Sequence, residues 1–172
     1  EGRVLLFGLP PRQARSRIGV VFQSPEDQLF MPTILEDAAL PLINRGMDRE
    51  QARERARQAL AAVGLESQAE RPARRLSLGQ RKRAAIAAAL ACGPELLVLD
   101  EPTAELDGRS VRLLVSVLER LPVTMLIAGH DLAFLRRLAT RALILQEGFV
   151  LAEGDPEYLF SDEALLEEAG LI

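Results

Sequence analysis

Four groups of residues in this chain of 172 residues have side-chain types and spacings that could do chemistry. Asp100 and Glu101 are adjacent carboxylates that follow the apolar run 96–99. Neighbouring residues on a strand point to opposite sides, so the pair is not expected to grip one ion together. One carboxylate can hold Mg2+ while the other faces a water molecule, the division of labour that phosphoryl transfer requires. Solvated acids ending a strand before Pro102 are the plainer alternative. Gln23 follows the apolar run 18–22, and His130, the single histidine, follows the run 123–127. Three apolar runs thus end in polar residues suited to chemistry, and ligands of open parallel sheets bind outside the carboxyl ends of the strands.

The fourth group is Ser77, Gly79 and Gln80, followed by Arg81, Lys82 and Arg83. Ser77 and Gln80 have the spacing of a capping box, which is a sufficient structural reason for both. The three cations occupy the first turn of the helix that follows, the wrong end of its dipole for positive charge. Free amides, a hydroxyl and cations together make an anion site, and a bound phosphate would remove the mismatch. Lys82 is the only lysine among 21 basic residues.

The elements that must position these groups are legible in the pattern. The three apolar runs are continuous rather than alternating, which predicts strands covered on both faces of a parallel sheet. Asp48 and Gln51 predict a capped helix with the apolar face Ala52, Ala56, Leu60 and Val63, ended by Gly64. Asp107 could cap a second helix with Val111, Leu114, Val115 and Leu118 facing inward. Residues 142–145 and 149–151 flank Gln146-Glu147-Gly148 as an antiparallel hairpin. Strands alternating with helices give an α/β layered domain.

Composition narrows the function classes. A chain with 48% hydrophobic and 27% charged residues can build a core, which excludes a disordered tail. One cysteine excludes an intrachain disulfide framework. A net charge of -4 argues against a nucleic-acid partner bound by bulk charge. The most apolar stretch, 84–92, is far shorter than the ~20 residues that cross a bilayer. No signal sequence is visible, so a cytosolic chain is expected, and the first residue is not methionine, which suggests a fragment.

Taken together, the motifs resemble those of ATP-binding-cassette (ABC) ATPases. Residues 95–103 (ELLVLDEPT) look like a Walker B strand with its following glutamate, and residues 76–80 (LSLGQ) resemble the LSGGQ signature. Val21-Phe22-Gln23 looks like the Q-loop, Ala104-Glu105-Leu106-Asp107 the D-loop, and His130 the switch histidine. The stretch 23–30 (QSPEDQLF) resembles a narrower group, the ATPases of energy-coupling-factor importers, including cobalt and nickel systems. Leu78 stands where the family usually has glycine, and Glu105 where alanine or glycine is more usual. Nothing matches G-x-x-x-x-G-K-[ST], the phosphate-cradling loop, and Lys82 lies in the wrong place to serve.

The resemblance implies a P-loop NTPase-like ABC nucleotide-binding domain over residues 1–172, comparable to its larger, C-terminal part and lacking Walker A. Within it a helical signature subdomain would span roughly 32–92. It implies an ATP-binding and ATP-hydrolysing subunit that energises a membrane importer of a metal ion or vitamin, cobalt among them. This chain alone is expected to be inactive. By resemblance, Asp100 acts on Mg2+, directly or through water, Glu101 polarises the attacking water, and Gln23 senses the metal and γ-phosphate. His130 contacts the γ-phosphate. Ser77, Gly79 and Gln80 touch ATP held by an opposite protomer, and Asp107 joins the dimer seam. The partners implied are a second ABC ATPase subunit, identical or not, and a transmembrane coupling subunit. Residues 23–31 would dock the latter through Leu29, Phe30 and Met31 unless these pack inward. The location implied is peripheral, on the cytoplasmic face of the membrane. The rivals are a soluble ABC ATPase of DNA repair or translation and a non-catalytic interaction module without the phosphate loop.

Overall fold

The three apolar runs form parallel strands in a computed structural model that describes residues 3–172: β1 (Ile18–Val21), β2 (Leu96–Asp100) and β3 (Thr124–Ala128), in the order β1-β2-β3. Val21 pairs with Leu99, and Leu99 with Ile127, so all three strands end at the same edge. One short helix, α1 (Pro11–Ala14), precedes β1. Helices α2 (Ile34–Asn44), α3 (Arg49–Ala62) and α4 (Leu78–Ala91) separate β1 from β2, and α5 (Gly108–Leu118) separates β2 from β3. These elements belong to the first of two compact units, Glu1–Ala128.

The expectation that both faces of the sheet are covered is corrected. Val21, Leu97 and Leu99 are buried, but Val20 is 41% and Leu126 is 55% exposed. In register, Val20, Val98 and Leu126 share one face. The opposite face carries α4, close enough that a Cβ on Gly19 would lie 3.2 Å from the Cβ of Ala89. One helical layer cannot cover both sides of a sheet, and within the described residues of this unit the second face stays open.

The three helices before β2 pack on one another around Ile34, Leu35, Leu60, Leu65 and Ile86, all nearly inaccessible. Each such side chain contributes roughly 1.5–3 kcal/mol of transfer free energy. Asp48 accepts from the amides of Glu50 and Gln51, and Ala52, Ala56, Leu60 and Val63 are buried. The helix they define ends before Gly64, whose φ is +70°. The first amides of α2 find carbonyls in the chain, Ile34 N donating to Arg71 O and Leu35 N to Ala69 O. Asp107 caps α5 through the Ser110 amide at 2.8 Å. Leu114, Val115 and Leu118 are buried there, while Val111 is half-buried.

The second unit, Gly129–Ile172, contains α6 (Leu132–Leu138), the antiparallel hairpin β4 (Ala142–Gln146) and β5 (Phe149–Gly154), α7 (Pro156–Leu159) and α8 (Glu163–Glu168). Its turn residues Glu147 and Gly148 have φ of +47° and +83°, the positive pair that matches strand twist in a tight hairpin. Ile144, Leu159, Phe160 and Leu166 form a small core of its own.

Candidate functional site

The sheet delivers two of the expected groups to one edge. Gln23 follows β1 and Asp100 ends β2, both exposed, in strands that are direct hydrogen-bonded neighbours. Glu101 leaves the strand geometry at once, with a φ of +44°, while its amide still donates to Ala128 O at 2.9 Å. The alternation expected for two strand neighbours therefore stops at Asp100, because Glu101 is already in the left-handed region. Its carbonyl accepts from the Ala104 amide, which closes the turn toward α5. Glu105 in the same loop is also left-handed, with φ of +62°. The family resemblance leads one to expect alanine or glycine at this position.

The opposite edge is structural. Glu95 N donates to Arg17 O, and Arg17 and Glu95 form a two-pronged ion pair at 2.6 Å. The guanidinium holds the Glu95 carboxyl below the usual range.

The second group assembles where α4 and α5 begin. Ser77 accepts from the Gln80 amide, and the Gln80 side chain accepts from the Ser77 amide, a complete capping box. Gly79 lies so close to α5 that a Cβ there would meet Ser110 Oγ at 2.9 Å and Ser110 Cβ at 3.0 Å. Ser110 is also the residue that Asp107 binds with both oxygens. The Ser110 amide, ahead of other donors, keeps the Asp107 carboxyl below its ordinary pKa. Ser77, Gly79, Gln80 and Asp107 are thus gathered by the packing of two helix starts.

The reading of Arg81, Lys82 and Arg83 as an outward anion site is corrected, because each is committed to the protein. Arg81 pairs with Glu26 at 3.0 Å and donates to Leu76 O. Lys82 and Arg83 are buried. Arg83 donates to Val63 O at 2.6 Å, satisfying a carbonyl left open at the end of α3. The Lys82 ammonium donates to Glu101 O at 3.0 Å. Burial pushes its pKa down, while Glu105, Glu101 and Glu26 act against that shift. The unfavourable charge at the start of α4 is thus met by carbonyls and acids of the same chain.

Residues 23–31 are held from two sides. The Gln28 side chain accepts from Phe22 N and donates to Val20 O, so it extends the edge of β1. Asp37, buried on α2, accepts from the amides of Phe30 and Met31. Burial raises its carboxyl pKa, and those two amides oppose the rise. Leu29 is buried and Met31 half-buried, leaving Phe30, at 70%, as the one strongly exposed side chain of the three. Sequence reading missed Asp37, which looks like any helical acid, and misassigned Lys82, whose rarity was the available signal. His130 lies in the second unit, two residues beyond the end of β3. Among the described residues no group of three or more His, Cys, Asp or Glu could hold a metal ion by themselves.

A family profile describing ABC transporters matches residues 1–104. The chain belongs to the ABC transporter family. An ABC transporter ATP-binding protein of Methanopyrus kandleri is 47% identical, with 98% of this chain and 65% of the relative aligned. An ABC transporter ATP-binding protein of Gloeobacter violaceus is 48% identical over 99% of this chain and 73% of its own length. The energy-coupling factor transporter ATP-binding protein EcfA of Methanocaldococcus jannaschii is 38% identical, covering 99% of this chain and 65% of that protein. This ABC chain therefore spans just under two thirds of the length of several relatives it matches. Among solved structures, cbiO1 of Clostridium perfringens, part of the ABC transporter complex cbiONQ, superposes with a TM-score of 0.82 at 32% identity. That match covers 99% of this chain and 72% of cbiO1, and it establishes the ABC ATPase fold for the α/β architecture described above.

Proposed function

We propose that the full-length protein is the ATP-hydrolysing subunit of a membrane importer of the energy-coupling-factor type, carrying a metal ion or a vitamin. The observation that carries the reading is the common edge of β1 and β2, where Gln23 follows β1, Asp100 ends the neighbouring β2 and Glu101 opens the next turn. Similarity to EcfA and to cbiO1 supports the importer class. Cobalt is one cargo compatible with the second of these.

In this reading Asp100 and Gln23 offer oxygens to Mg2+. Two exposed protein oxygens suit an ion that keeps several waters and takes its remaining ligands from phosphates. Mg2+, when bound, neutralises phosphate charge. Glu101 orients and polarises the attacking water, and His130 contacts the γ-phosphate. Ser77, Gly79 and Gln80 face ATP held by a second ABC subunit, with Asp107 at the seam between the two. A transmembrane subunit docks on residues 23–31, placing the protein at the cytoplasmic face of the membrane. Among the described residues no helix is long and apolar enough to cross a membrane.

The test is Glu101→Gln in the full-length protein. An amide of nearly equal size replaces the carboxylate, so ATP binding and ATP-dependent dimerisation are expected to survive while steady-state hydrolysis falls by about a hundredfold or more. Near-normal turnover in that variant overturns the assignment.

A further inference from the structure

We propose that Lys82 is a positioning residue for hydrolysis: by donating to the Glu101 carbonyl it fixes the left-handed turn from which the Glu101 carboxylate addresses the attacking water. The inference rests on the reading of Glu101 as the group that polarises water. It is carried by three observations. Lys82 is the only lysine in the chain, yet it is 4% exposed, at a depth where lysine is rarely found. Its ammonium reaches from α4 to the Glu101 carbonyl at 3.0 Å, across 19 positions of sequence. And Glu101 is a non-glycine residue with φ of +44°, a conformation that persists only where the surroundings over-determine it.

The backbone hydrogen bonds of Glu101 contribute to that determination. The Glu101 amide donates to Ala128 O, and its carbonyl accepts from both the Ala104 amide and Lys82. The first is an extension of the β2–β3 ladder and the second closes the turn itself. Only the third comes from a side chain outside the strand and turn, and it is charged, hence stronger than a neutral bond. A methionine would fill the same space at lower desolvation cost, so packing alone does not explain a buried ammonium here. Lys82 also makes a hydrogen bond from the helix of Ser77, Gly79 and Gln80 to the residue after Asp100, joining the two halves of the candidate site.

The experiment uses the full-length protein with Lys82→Met and Lys82→Gln, measured for kcat, KM for ATP, ATP-dependent dimerisation and urea midpoint, beside Glu101→Gln as reference. Lys82→Met is expected to lower kcat at least about tenfold with KM and dimerisation unchanged, since a small misplacement of a reacting group costs rate more than binding. Lys82→Gln, which keeps an N–H donor, is expected to recover part of that loss. In the Glu101→Gln background, Lys82→Met is expected to cost no further rate, because the group it positions is already gone. If Lys82→Met fails to fold, the kcat and KM of Lys82→Gln decide instead, a lowered kcat at unchanged KM supporting the role. Wild-type kcat in the folded Lys82 variants while Glu101→Gln is inactive overturns the positioning role and leaves the function intact. Equal losses in kcat, dimerisation and urea midpoint overturn it as well, since they describe a merely structural lysine. An active Glu101→Gln overturns the underlying reading and this inference with it.

Discussion

At the scale of single residues, the contacts that matter are those that a change of one or two atoms would break. Gly79 is one. Signature glycines invite an explanation through close approach to phosphate, but here a neighbouring helix already demands the absence of a side chain, with Ser110 less than 3.1 Å from where a Cβ would sit. Gly79→Ala is expected to destabilise the domain by about 1–3 kcal/mol, the usual cost of overpacking. Ser110→Gly in the same chain should return part of it, read as the shift in urea midpoint; an unshifted midpoint in Gly79→Ala would refute the steric account. Asp37 is a second case. Burial raises its pKa against the pull of the Phe30 and Met31 amides, so the folded chain holds the proton more tightly than the unfolded chain does. The stability gained from that proton is complete below the ordinary carboxylate pKa and is lost as pH rises through the raised folded value. Urea midpoints of wild type and Asp37→Asn, compared from about pH 4 to pH 7, should show the wild type losing ground as pH rises. A difference independent of pH would remove the buried carboxyl as its source.

At the scale of elements, caps and ties set where segments begin and what they present. Side chains of Thr33, Asp48, Ser77, Asp107, Asp131, Asp155 and Asp162 each accept from the first turn of the helix that follows. The segment 23–31 is ordered differently, by the Gln28 side chain against β1, Asp37 from α2 and the Glu26–Arg81 pair to α4. Gln28 is consequently a poor place for a probe, because replacing it breaks two bonds to the strand edge. Phe30 is the better one, exposed and unneeded by the core. A cysteine at Phe30 is expected to crosslink to the transmembrane subunit in the assembled complex, whereas a cysteine at Leu29 should react slowly because that side chain is buried. Absence of any crosslink from position 30 would defeat the docking assignment.

At the scale of the whole molecule, 172 residues hold most of the expected motifs and none of the phosphate-cradling loop. Phosphoryl transfer depends on positioning and charge stabilisation, and that loop supplies much of both. A polypeptide of these residues alone is expected to bind Mg-ATP weakly or not at all and to release no phosphate. Micromolar binding by calorimetry, with turnover, would reveal a phosphate site of another kind. The sheet face bearing Val20 and Leu126 should also make that polypeptide prone to self-association, since exposed apolar surface of this sort seeks cover.

Local chemistry was sufficient for much of this. Capping pairs at Ser77 and Gln80, the cap at Asp48, the period of Ala52, Ala56 and Leu60, and the hairpin turn at Glu147-Gly148 all depend on neighbours within a few positions, and all could be read from the chain. So could the family, because its motifs are short and ordered along the sequence. What tertiary structure alone decided is where long-range partners fall. An apolar strand looks the same whether one face or both are covered, so the open side at Val20 was invisible. A cation at a helix start looks the same whether it faces a phosphate or a protein carbonyl, and only the packing of α4 against α3, residues 23–31 and the turn after β2 sent Arg83 to Val63, Arg81 to Glu26 and Lys82 to Glu101. Periodicity specifies which side of an element is apolar; what stands opposite it is fixed by contacts across tens of residues, which no local pattern encodes.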